Sequence, residues 1–387
     1  MAVEFRIQEI RRGKVLVQPL DGAKPQSLKV ARTSKYVESE IVVVEATSAA
    51  AGSRSQSKVV ASRIDPSFID GRSPKVLPMG MDGEHSFEEY VSFSDGEPFE
   101  RALDTFRAGY HDDAGEMLRE FIRTYPYHID SYHHLGIIES VLKHHDRALK
   151  YFETGYRIGL LSIPKKFDGT LPWGCLENRP FLRAAHGYGL ALERKRRHVE
   201  AVDVYEQILA LNPNDNQGIR YLLPSLYLKA QASQKARAAL EQHGADGMNM
   251  FTWCLLEIQD GRRIEAVRWL CRGLAYNLHV PGLVLSRNKL VPVEDSTVAV
   301  GSETEAAEYL HQNKAWTRKQ PREFLQRALA IPALHTRFNR ALALRSALDS
   351  RDGVPAADER STMVEELFAL FDDENIPHIL EECRKAI

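Results

Sequence analysis

The stretch from Phe181 to Pro213, FLRAAHGYGLALERKRRHVEAVDVYEQILALNP, constrains this chain more than any other. Leu182, Ala185, Tyr188, Gly189 and Leu192 recur at helical spacing. A basic, polar break follows at Arg194, Lys195, Arg196, Arg197 and His198. A second periodic run then carries Val199, Val202, Tyr205, Ile208 and Leu209. Pro213 ends it, because proline has no N–H to donate and disfavours helix at the residue before it. Two helices joined by so short a turn must bury their apolar faces on one another. Small residues at Gly189 and Ala201 let them approach, and Tyr205 is placed to fill the gap between this pair and the next.

Similar units lie on both sides. Ala102, Leu103 and Phe106, a turn at Gly109, and Ala114, Leu118, Phe121 and Ile122 up to Pro126 make a first pair, with Ala114 to Pro126 spaced like Ala201 to Pro213. Tyr132, Leu135 and Gly136, then Ala148 and Phe152, mark the second. After Pro213, Asp215 or Asn216 is a plausible N-cap for a fourth pair, with Pro224 predicting a kink or a late start. Trp253, Leu256 and Ile258, a turn at Gly261, and Ala266 and Leu270 mark the fifth. A glycine in the first helix, Ala-x3-aromatic in the second and a closing proline, on a period of about 34 residues, resemble the tetratricopeptide repeat (TPR) superfamily over roughly residues 97–280. The blocks PWGCLENRPFLRA, NPNDNQGIRYLL and TEAAEYLHQNKAW are similar to those of bacterial TPR-containing proteins.

The resemblance implies a mainly α, TPR-like α-solenoid of helix pairs, with a concave groove for peptides or partner proteins. One TPR subclass holds C-terminal carboxylates with Lys, Asn and Arg on first-helix positions. Here the equivalent places hold His133, Ile137, His186 and Leu190, so that ligand is not expected.

Outside the repeats the reading changes. Residues 1–47 alternate at Val3, Phe5 and Ile7, return through Val15–Val17 and add a β-branched run at Ile41–Val44. This predicts a small β module of about three strands, too small to stand alone and therefore expected to dock. Residues 48–96 read as a partly disordered linker, with aromatics from Phe87 to Phe93 placed to pack on the first helix. Residues 161–180, rich in Pro and Gly, read as a loop insertion, which in solenoids often maps to the binding face. Residues 281–387 read as an irregular segment followed by capping helices, the last of them acidic, as a solenoid end requires.

Composition bounds the function classes. The net charge of −2 gives no global basic field for nucleic acid. Mean hydropathy is −0.35, and no apolar run approaches the ~20 residues of a membrane span. Nothing at the start of the sequence reads as a signal-peptide core. Cys175, Cys254, Cys271 and Cys383 are widely spaced, which reads as reduced thiols of a cytoplasmic protein.

No phosphate-loop, dinucleotide or serine-hydrolase motif occurs, so no enzyme activity and no cofactor is expected. His128, His133, His134, His144 and His145 cluster without metal-ligand spacing, so no metal is expected. The residues expected to bind a protein or peptide partner are Arg183, His186, Arg194, Gln217, Arg220 and His133, with Trp173 as an anchor in the insertion. A groove recognising a segment of another protein makes this an interaction adaptor or scaffold. Two alternatives stay open. One is a nucleic-acid-associated factor using the N-terminal strands with Arg11, Arg12 and Lys14. The other is an enzyme with an unrecognised site in 281–320.

Overall fold

The structure, a computed structural model, describes residues 2–30, 32–45, 59–80, 83–88, 91–92, 95–243, 247–286, 299–349 and 357–386. The chain is mainly α, built of paired helices with an N-terminal β module, and it divides into two compact units, Met1–Ile219 and Arg220–Ile387.

The first unit opens with β1 (Ala2–Arg11), β2 (Lys14–Pro19), β3 (Gln26–Lys29), β4 (Glu40–Glu45) and β5 (Val59–Ile64). They form an antiparallel sheet in the order β3-β2-β1-β4-β5. Phe5, Ile7, Val15, Val17, Leu28, Val30, Val42 and Val44 make its core. The three runs read from the sequence are β1, β2 and β4. The linker reading of 48–96 needs correcting over 59–88. β5 pairs with β4, a 3-10 turn covers Pro66–Phe68, and β6 (Val76–Pro78) pairs with β7 (His85–Phe87). β5 escaped the sequence reading because it is an edge strand exposed along most of its length, with no alternating pattern to see. The small-residue stretch 46–58, Tyr90 and Phe93 lie outside the described residues. Phe87, expected against the first helix, packs on Phe181, 5.5 Å between ring centres.

Six helices follow in three pairs: α1 (Glu97–Arg107) with α2 (His111–Thr124), α3 (Ile129–Val141) with α4 (His145–Ser162), and α5 (Arg179–Arg194) with α6 (His198–Leu211). Glycines seat aromatic rings at the seams. A Cβ on Gly136 or Gly187 would come within 2.6 and 2.5 Å of the Phe152 ring, so α4 nests between α3 and α5. Gly159 receives Phe181, and Gly189 receives Tyr205, each too closely for any side chain. Ala201 and Tyr205 are fully buried.

The β module docks on the second pair, as its size required. Lys150 of α4 pairs with the fully buried Glu40 and bonds the Lys35 carbonyl, while the Tyr151 hydroxyl donates to Glu38 at 2.9 Å. Tyr127 donates to the carbonyl of Ile69 at 2.9 Å.

The second unit continues with α7 (Ile219–Lys229), α8 (Ser233–His243), α9 (Asn249–Gln259), α10 (Arg263–Tyr276), α11 (His279–Leu285), α12 (Glu303–Gln312), α13 (Lys319–Leu329), α14 (Pro332–Asp349), α15 (Ala357–Ala369) and α16 (Ile376–Ala386). Pro224 sits inside α7. Asp215 caps that helix, its carboxylate accepting from the Ile219 N–H at 2.7 Å. Part of the segment read as irregular from residue 281 is α11, and 287–298 lie outside the described residues. Ala114, Ala148, Ala201, Ala236 and Ala266, the repeat alanines of the five pairs, are all buried.

Candidate functional site

Helices α3 and α5 carry the same face twice. His133, Ile137 and Val141 follow one another at four-residue intervals on α3, and His186, Leu190 and Arg194 do so on α5. Each α5 residue lies 53 positions after its α3 counterpart (133 to 186, 137 to 190, 141 to 194), as Ala201 lies after Ala148. Asp130 and Arg183 are related by the same interval and meet directly, the guanidinium 2.8 Å from the carboxylate. Residues three and four apart share a helix face, so a polar band (Asp130, His133, Arg183, His186) grades into an apolar one (Ile137, Val141, Leu190). Val141 is 42% exposed and Leu190 48%.

The polar band is bonded within itself. The His134 Nδ1 lies 2.9 Å from the Asp130 carbonyl. Gln217 donates to the Leu182 carbonyl at 3.0 Å and reaches His186 Nδ1 at 3.5 Å. Burial pushes the His133 and His186 imidazoles below their ordinary range, with the neighbouring His134 and Arg183 adding to the effect at His133 and Asp215 opposing it at His186. His128 is pushed down to about 4, mainly by burial. This face therefore presents neutral imidazoles and one fixed guanidinium at neutral pH.

Of the residues named from the sequence, Arg183, His186, Gln217 and His133 come together here. Arg194 lies at the turn end of the same face, its guanidinium 3.0 Å from His145 Nδ1. Trp173 is not the bare anchor expected. It is half-buried, its backbone N–H donates to the Asn212 side-chain carbonyl at 3.3 Å, and the Arg179 guanidinium lies over its ring. Leu176 is an exposed apolar side chain of that loop. Arg220 belongs to the second unit, where its guanidinium lies over the Tyr221 ring. Asp130, the partner of Arg183, was not named from the sequence. The shared 53-residue interval is the signal that finds it.

The insertion is stitched in place. Thr170 bonds Gly83 and His85 through its backbone at 2.8 and 2.9 Å, and the buried Asn178 bonds the His85 and Pro172 carbonyls and the Phe87 N–H. The basic run 194–198 is half compensated: Lys195 pairs with Asp146, and Arg197 with Glu200. Arg11 is held by Glu9 at 2.6 Å, and Lys14 stands opposite Lys29 in the sheet. Among the described residues no three His, Cys, Asp or Glu side chains gather as metal ligands, and no helix is long and apolar enough to cross a membrane.

No family model matches the chain, and no curated protein is similar to it. Among solved structures, that of Naa15/Naa10 bound to HypK-THB is similar with a TM-score of 0.32 at 15% identity, over 76% of this chain and 42% of the matched one. This chain thus spans less than half of that one, and a likeness at that score carries no argument.

Proposed function

We propose that the protein is a TPR-like scaffold that binds a segment of another protein along the α3–α5 face. One observation carries the reading: two repeat-equivalent helices present matching rows, His133–Ile137–Val141 and His186–Leu190–Arg194, with Val141 and Leu190 left exposed. Recognition grooves of helical repeats are built from such rows on neighbouring helices. Arg183, fixed by Asp130, gives the polar end of the face a pre-oriented donor. Gln217 and His186 extend the band toward the end of α6.

Crosslinking and mass spectrometry in cells test it. A photo-reactive residue at position 190 should capture a protein partner, and adding His186→Ala with Val141→Glu should abolish capture without lowering the melting temperature by more than a few degrees. Purified protein that turns over a small molecule while position 190 captures nothing would overturn the reading in favour of an enzyme.

A further inference from the structure

The five helix pairs share a turn position, five residues before each repeat alanine, where the backbone is left-handed. It holds Gly109, Lys143, Arg196, Gln231 and Gly261, with φ of 89°, 62°, 61°, 60° and 74°. A Cβ is disfavoured in that conformation, and glycine is its natural occupant. The second and third pairs place a basic side chain there instead. These are the two turns that end the α3–α5 face. The turns adjoin: Arg194 reaches His145, Lys195 pairs with Asp146, and Lys143, Arg194 and Lys195 all act on the His145 imidazole.

The charges around the lip are unequally satisfied. Glu139 is 1% exposed and taken up by Arg147, Arg119 and His144. Asp146 is held by Lys195, Glu200 by Arg197, and Glu193 accepts from Tyr205. Among the described residues, the side chains of Lys143 and Arg196 make no hydrogen bond or ion pair. Beside them Val141 and Leu190 are exposed aliphatics. Aliphatic side chains bury apolar residues of a peptide; they are not the aromatic platforms on which bases stack.

Resting on the scaffold reading, we propose that this lip, formed by Lys143, Arg194 and Arg196 with Val141 and Leu190, selects an acidic segment of another protein that carries apolar residues between its carboxylates. Carboxylates would meet the cations, and the apolar residues would cover the aliphatic strip.

A random dodecapeptide display library selected on the full chain tests this, followed by fluorescence anisotropy of an enriched peptide. Enrichment of Asp and Glu interleaved with Leu, Ile or Phe is expected, with affinity falling as salt rises. Lys143→Gly with Arg196→Gly should raise the melting temperature, because glycine suits the turn, yet weaken the peptide at least tenfold. Leu190→Glu should abolish binding. Peptides that need Leu190 but lack acidic bias, and bind the glycine variant as well as the parent, would overturn the proposal and leave the scaffold reading standing. No enrichment of any peptide would sink both. A single-stranded DNA oligonucleotide bound more tightly than the peptides, or self-association abolished by Leu190→Glu, would also overturn it.

Discussion

His128 shows how much one buried side chain asks of its surroundings. Its Nδ1 accepts from the Ser131 N–H at 3.3 Å, capping α3, and its ring lies edge-on to Phe99 and Phe121. Burial holds its pKa at about 4, against about 6.5 for an unfolded histidine. The unfolded chain therefore binds the proton first, so the stability this group contributes is intact above pH 6.5 and is lost as pH falls through 4. The loss reaches about 3 kcal/mol at one pH unit per 1.36 kcal/mol. Thermal melts from pH 7 to 4 should show the decline, and His128→Asn, which keeps a capping oxygen, should flatten it. At Gly159 the added methyl of Gly159→Ala would overlap the Phe181 ring, which is 1% exposed and has nowhere to go. Overpacking of about 1–3 kcal/mol should exceed the ~1 kcal/mol gain of helix propensity. Urea denaturation should show a net loss, largely recovered by adding Phe181→Leu. Glu139 and Glu257 occupy one repeat position, nine residues before Ala148 and Ala266, and each is buried between two arginines. No periodicity of apolar residues announces such a carboxylate, so these buried ion clusters were not legible in the sequence.

Among the elements, α4 does two jobs. One side of it takes the α3 and α5 seams through Phe152, and the other takes the β module through Lys150 and Tyr151. Lys150→Met would strand the buried Glu40 carboxylate, and breaking such a pair costs about 3–5 kcal/mol. Limited proteolysis should then cut the β module first, and Glu40→Gln on top of Lys150→Met should restore part of the resistance. Three of the five strands were legible, β1 because its apolar residues alternate and β2 and β4 because each carries a contiguous apolar run rich in β-branched residues. β3 has one buried residue and β5 buries only its last, so neither pattern exists to be read. The insertion was legible as a loop, from its prolines and glycines, but the hairpin that holds it was not, since the two segments lie some 90 positions apart in a hydrogen bond such as Asn178 to Phe87.

At the scale of the whole molecule, the repeats were readable because their demand is local: an alanine and a large apolar side chain four positions apart, met by a small residue on a neighbouring helix. The seams of Gly136, Gly187 and Gly189 against Phe152 and Tyr205 bear this out residue by residue. The candidate face was half readable. His133, Arg183, His186 and Gln217 were named, but whether a surface cation pairs inward, as Arg183 does, or outward depends on a partner helix that one sequence does not place. Repeat arrays hold together through nearest neighbours. Hydrogen exchange of Gly189→Ala should therefore speed first in α5 and α6, with the amides of the N-terminal sheet keeping their protection.

Asn178 knots three things together: the hairpin carbonyl of His85, the N–H of Phe87 and the Pro172 carbonyl of the loop before α5. The loop's shape is thus not its own property. Transplanting it onto another scaffold would fail unless the hairpin travelled with it, and sequence drift in either piece must be answered in the other.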